Sequence, residues 1–223
     1  MSTKKLFSSL VEANADIWDK YIHHQFVKQI EAGTLPKENF LFYLKQDSIY
    51  LLHYGRCCAL LANNATNTTE LKFATKYQNI AIEVESQLHT SILQFGIEHL
   101  NARDESITNI AYTRYMQGVA SSGDYLDMLV ALSSCAIGYG VIGKELGSRL
   151  DITKLDNHPY KDWICTYAGD EIQVLVREFE EFVDSYSHAV NETKFKKLSD
   201  IFYTVTRLEC AFWQHGLEMK MDI

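Results

Sequence analysis

Residues 128–143, MLVALSSCAIGYGVIG, form the longest stretch of the chain without a formal charge, closed by Asp127 before it and Lys144 after it. A bilayer span needs roughly 20 apolar residues, so this shorter run is expected to be a helix buried in a protein core. Within it Cys135 and Tyr139 lie one helical turn apart and share a face. Ser133, Ser134, Ala136, Gly138 and Gly140 are small, leaving room beside that face for a neighbouring helix or a ligand. A lone buried cysteine is most often inert packing. Whether Cys135 does chemistry therefore depends on what other segments aim at it.

The chain of 223 residues could form one large domain or two small ones. Its 47% hydrophobic content suffices for a sizeable core, and only two prolines and eleven glycines interrupt it. Long helices fit that composition and a turn-rich β architecture does not. The net charge of −8, with no basic cluster to reverse it locally, excludes a general binder of nucleic acid or anionic membrane. The N-terminal MSTKKLFSSLVEANAD reads as an amphipathic helix start, because acidic residues interrupt any apolar signal region. Five cysteines with no CxxC pair and no repeated spacing predict reduced thiols and a cytoplasmic protein.

Apolar residues Leu6, Leu10, Ala13, Ile17, Ile22, Phe26 and Ile30 recur at helical spacing over 4–31 and predict a first helix there. GTLP ends it, and Pro36 suits the first turn of a second helix over about 36–63. In that helix Asp47, Tyr50 and Tyr54 share one stripe. Asp47 either meets water or, as an acid within an inward aromatic stripe, requires a partner. NNATNTTE turns the chain into a third helix extending to about Gly96, with Glu85 and His89 four apart. That pair supplies too few ligands for a metal site, and no second Glu-x-x-His completes a di-iron set. Adjacent His23 and His24 point in different directions from a helix and are equally weak as ligands.

Further helices are predicted over about 107–120, with Tyr112, Tyr115 and Met116, and over about 125–150. After a break at Asp156–Pro159, Tyr160, Trp163 and Tyr167 recur at helical spacing. Two last helices cover about 169–190 and 193–219. In RLECAFW, Glu209 and Phe212 are three apart, and Glu209 is either a paired buried acid or an ordinary surface one. Seven or eight helices with no strand-period segment predict a single all-α domain over 1–223.

The segments GTLPKENFLFYLKQD, QDSIYLLHYGR, SSCAIGY, the YAGDEI block around Tyr167 and the terminal RLExxFW together resemble the thiaminase II (TenA) family, in order and spacing across nearly the whole chain. The resemblance implies a single-domain helical bundle of the haem-oxygenase-like type, assembled as a homotetramer and carrying no haem or other cofactor. It implies a nucleophile at Cys135, a catalytic acid at Glu209 and a tyrosine assisting the thiol at Tyr50. It further implies a pyrimidine-holding carboxylate at Asp47 and pocket walls at Tyr139, Tyr167, Tyr54, Tyr112 and Phe212. Cys57, Cys58, Cys165 and Cys210 match nothing catalytic and are assigned to packing.

The implied reaction is hydrolysis of thiamin-derived pyrimidines that carry a leaving group on an exocyclic methylene. The expected substrate is 4-amino-5-aminomethyl-2-methylpyrimidine, with thiamin cleavage as a further activity, in thiamin salvage. Such chemistry wants a soft nucleophile that also leaves well, which a thiolate supplies and a serine alkoxide does not. It wants an acid in apolar surroundings, where a carboxyl keeps its proton to higher pH. Flat aromatic walls stack on the ring, and phenol hydroxyls add direction. Two other readings remain: a metal-dependent oxygenase of the same helical superfamily, and a non-catalytic pyrimidine-binding or regulatory protein.

Overall fold

The structure, a computed structural model, describes residues 5–85, 103–151 and 154–222. Among them no strand occurs, and ten α-helices are present. They are α1 Leu6–Ala13, α2 Ala15–Ile22, α3 Gln25–Glu31, α4 Lys37–Asn63, α5 Thr68–Asn79, α6 Ile107–Ser122, α7 Tyr125–Arg149, α8 Lys161–Ala168, α9 Asp170–Asp184 and α10 Glu192–Glu218. A π-helical segment, Ile80–Glu85, continues α5, and a 3₁₀ turn, Ser187–Ala189, follows α9.

The expected single helix over 4–31 is three short ones. Asn14 leaves helical geometry (φ −126, ψ 31), and its amide donates to Leu10 O at 2.8 Å and to Ser199 Oγ at 3.0 Å. A short polar side chain that satisfies the preceding turn's carbonyl competes with helix continuation. Ten residues on, the His24 ring accepts from Phe26 N and starts α3. α3 closes on Gly33, whose φ of +67 permits the paired bonds Gly33 N to Ile30 O and Thr34 N to Gln29 O. Pro36 is the N-cap of α4 rather than a member of its first turn.

The long helices begin where local side-chain chemistry dictates. Asn67 accepts from Glu70 N at 3.0 Å while Glu70 reaches back to Thr66 N. Ser106 accepts from Asn109 N at 3.1 Å. Asp124 and Asp127 exchange reciprocal bonds at 3.0 and 2.9 Å, an all-aspartate form of the capping box. α7 therefore starts within three residues of the uncharged run. It is long and apolar enough to cross a membrane by length and composition, but 83% of its most apolar window is buried in the protein. That burial fits the core helix the sequence predicts.

Two compact units are present. The first comprises Met1–Leu35 and Val130–Cys210. Its core centres on Trp18, whose ring lies 5.6 Å from Phe202, 5.8 Å from Phe7 and 5.7 Å from Tyr21. Gly138 is required there, because a Cβ would come within 2.3 Å of the Tyr21 ring. The free N–H groups of α1 are satisfied by Ser187 Oγ at 3.0 Å and Asp184 Oδ1 at 2.9 Å.

The second unit comprises Pro36–Leu129 and Ala211–Ile223. Tyr43 packs on Trp213 at 5.3 Å, and Asn39 caps the end of α10 by donating to Gly216 O and Leu217 O. Fully buried Gln46 donates to Asp104 O at 2.7 Å and accepts from Ser106 N at 3.0 Å and Asn109 Nδ2 at 3.2 Å. Asn109 also donates to Gln46 O at 2.8 Å. This network fixes the turn before α6 to α4 at the residue next to Asp47.

Candidate active site

In the first unit the implied site residues sit on three helices. Ser134 and Thr206 join α7 to α10 through a hydroxyl pair at 3.0 Å. Thr206 Oγ1 spends its proton on Phe202 O at 2.7 Å, so Ser134 is the donor between them. Cys135 follows Ser134 directly, and Glu209 follows Thr206 by one turn. Cys135 is half-buried, whereas Glu209 is only 2% exposed. Of the two readings left open by spacing, Glu209 is the buried acid. Tyr139, one turn beyond Cys135, packs against Tyr167 at 5.1 Å, and Trp163 completes the cluster at 4.8 Å from Tyr167.

In the second unit α4 carries Asp47, Tyr50 and Tyr54, all buried. Asp47 is 3% exposed and accepts from the Tyr43 hydroxyl at 3.4 Å. The water-facing alternative for Asp47 is overturned, because its stripe points into the protein. Tyr50 is the hub of the aromatic cluster, with ring distances of 4.9 Å to Tyr112, 5.7 Å to Phe212 and 5.9 Å to Tyr54. Its hydroxyl approaches Met116 Sδ at 3.7 Å. Tyr43 was not singled out in the sequence, although its position four residues before Asp47 is the signal that finds it.

His215, in the same unit, is 3% exposed. It packs against Phe212 at 4.6 Å, and its Nδ1 faces Phe212 O, which makes Nδ1 the protonated nitrogen. Burial pushes its pKa down from 6.5 to about 4, against smaller upward pulls from the Phe212 and Ala211 backbone and the Asp47 charge. An unfolded chain thus takes up this proton before the folded one does. The stability held by neutral His215 is complete above pH 6.5 and is lost as pH falls towards 4, about 3 kcal/mol in all. His215→Asn is expected to be less stable at pH 7.5 yet to lose correspondingly less between pH 6.5 and 4. Urea unfolding of both proteins across that range checks this, and parallel pH profiles would refute it.

Two further histidines, His53 and His23, have polar partners of their own. His53 is buried and accepts at Nδ1 from Gln117 Nε2 at 3.2 Å, leaving Nε2–H to face Glu105 Oε1 at 3.2 Å. Glu105 is in turn held by Arg114 at 2.8 and 2.9 Å. Burial, Arg114 and Arg56 lower the His53 pKa while Glu105 raises it, with burial the largest effect. His23 lies between Asp19 at 2.9 Å and Glu145 at 3.0 Å. Among the described residues no group of three or more His, Cys, Asp or Glu side chains is placed to hold a metal. The Glu85–His89 pair lies outside the residues whose side chains are described. Burial raises the thiols of Cys57 and Cys210 to about 12, with the Glu209 charge adding to the effect on Cys210, so both are poor nucleophiles.

The chain is 33% identical over 218 residues to the aminopyrimidine aminohydrolase of Halalkalibacterium halodurans, covering 96% of each protein. Its fold matches the crystal structure of a TenA family transcription regulator from a Silicibacter species, with a TM-score of 0.83, 34% identity and coverage of 96% and 97% of the two chains. A Shewanella denitrificans domain with a heme oxygenase-like fold superposes with a TM-score of 0.71 at 14% identity, covering 96% of this chain and 92% of that one. The fold is therefore all-α and haem-oxygenase-like. With residues 12–219 matching it, the chain belongs to the TENA/THI-4/PQQC family.

Proposed function

We propose that the protein is an aminopyrimidine aminohydrolase acting through a cysteine nucleophile. It converts 4-amino-5-aminomethyl-2-methylpyrimidine to the hydroxymethylpyrimidine and ammonia. Thiamin cleavage to hydroxymethylpyrimidine and thiazole is a further activity, and the role is thiamin salvage. The observation that carries this reading is the first unit's placement of a half-buried cysteine and a buried acid, each within one turn of the hydroxyl pair that joins their two helices. Cys135 and Glu209 flank one interhelical hydroxyl clamp, on a chain similar throughout its length to an aminohydrolase.

In this mechanism the Cys135 thiolate adds to the pyrimidine ring and breaks its aromaticity. The electron pair so delivered expels the exocyclic amine, which leaves as ammonia after Glu209 donates a proton. Water then adds to the exocyclic carbon and gives up a proton, Cys135 departs as thiolate, and the ring regains aromaticity. Asp47 accepts hydrogen bonds from the ring's amino group or a protonated ring nitrogen, which orients and polarises the ring. The resemblance assigns aromatic contacts with the ring to Tyr139 and Tyr167, and likewise to Tyr54, Tyr112 and Phe212. Tyr50 assists the thiol, more weakly than a cation would. The protein works in the cytoplasm as a homotetramer and needs no cofactor, nucleic acid or membrane.

A regulatory role is the second reading, favoured by the Silicibacter relative's description as a transcription regulator. The net charge of −8 weighs against direct DNA binding. Ammonia release from the aminomethylpyrimidine, with thiamin in a parallel reaction, separates the two. Release is expected from the aminomethylpyrimidine, and a folded protein that releases nothing from either compound would refute the enzymatic reading.

A further inference from the structure

On α7 the backbone is bare at Gly140 and Gly143, and neighbours press directly on it. A Cβ on Gly143 would lie 2.3 Å from Tyr167 C and 2.4 Å from Tyr167 O, and one on Gly140 would lie 2.2 Å from Val176 Cγ2. α8 therefore meets α7 backbone against backbone, and α9 seats the Val176 side chain directly on the α7 backbone. Tyr167 is one residue from the end of α8, so its carbonyl is among the last four that find no partner within the helix. Gln173, just inside α9, supplies that partner. Its Nε2 donates to Tyr167 O at 2.9 Å and to Gly140 O at 2.8 Å. An amide nitrogen carries two protons, and here both are used on two different helices.

The two carbonyls are placed with purpose. Gly140 follows Tyr139 directly, and the other carbonyl belongs to Tyr167 itself. Gln173 thus ties down the backbone under both rings of the Tyr139–Tyr167 pair, whose centroids are 5.1 Å apart at 49°. Only Gln173 among the described residues is shown bonding to both.

We propose that Gln173 is a positioning residue that sets the Tyr139–Tyr167 wall and, through it, the affinity for a planar aminopyrimidine. The proposal rests on the aminohydrolase reading and deepens it. Gln173 is half-buried and touches the wall's backbone rather than its rings. Its loss lets the two helices shift without removing any stacking surface. A wall that stacks on the ring in ground state and transition state alike acts on KM more than on kcat.

Gln173→Met keeps the length and removes both donors, and Gln173→Glu keeps the shape and sets a carboxylate against two carbonyls. Both are expected to raise KM for the aminomethylpyrimidine about tenfold, with kcat within about threefold of wild type. Calorimetric binding of hydroxymethylpyrimidine in a Cys135→Ser background should weaken by the same factor. Val176→Ala is the packing control, since it loosens the same α7–α9 seam, and it should lower Tm while leaving KM unchanged. A KM and Kd within twofold of wild type for either folded Gln173 variant would overturn the proposal, as would an equal KM change in Val176→Ala. Failure of wild type to turn over while it still binds the pyrimidine in a Gln173-dependent way would sink the aminohydrolase reading alone. Absence of any pyrimidine binding by wild type would sink both.

Discussion

Replacing Cys135 by serine is expected to lower ammonia release from the aminomethylpyrimidine by roughly 1000-fold or more, while the helical circular-dichroism signal and hydroxymethylpyrimidine binding persist. The size follows from the chemistry. A hydroxyl is scarcely ionised near neutral pH, and an alkoxide is a poor leaving group when the final step restores the ring. The structural cost is small, because Sγ to Oγ is a small change and α7 already accepts buried serines at 133 and 134. Neither the buried Cys57 nor the half-buried Cys210 can substitute, since burial raises both thiols to about 12. A Cys135→Ser enzyme with wild-type turnover would assign the nucleophile elsewhere.

Glu209→Gln should reduce kcat by roughly 100- to 10,000-fold, the range typical of a lost general acid. The substitution keeps size and hydrogen-bonding capacity and removes only the transferable proton. Glu209 is only 2% exposed, the position of a carboxyl shielded from water. A second signature accompanies the rate loss: one limb of the pH–kcat profile should disappear in the variant. A pH profile that keeps both limbs with near-normal kcat would remove Glu209 from the proton-transfer step.

Much of the helical architecture is legible because long amphipathic helices announce themselves by period and by their ends. The Asp124 and Asn67 caps and the Gly33 stop are short-range signals, so α4, α6, α7 and α10 fall within a few residues of expectation. The 4–31 segment departs from it because helical spacing persists across a break. Asn14 uses its side chain for Leu10 O and for Ser199, and that second partner is 185 residues away in sequence. No local pattern carries such information.

The candidate site divides in the same way. Face-sharing pairs such as Cys135–Tyr139 and Asp47–Tyr50 follow from the helical repeat alone. The implied roles of Glu209, Tyr112 and Phe212 come from resemblance, which spacing does not supply. The backbone clamp of Gln173 and the tautomer of His215 could not be read from the chain at all, because each depends on carbonyls presented by packed helices.

The sequence by itself determined the all-α class, the buried uncharged helix and the residues that share its faces. These depend on periodicity and on caps within a few residues of one another. Only the tertiary structure decided that Asp47 and Glu209 are buried rather than hydrated, and that Tyr50 gathers Tyr54, Tyr112 and Phe212 around it. Whether a carboxylate meets water is fixed by what packs over it, and the packing partners of α4 and α10 come from segments far away along the chain.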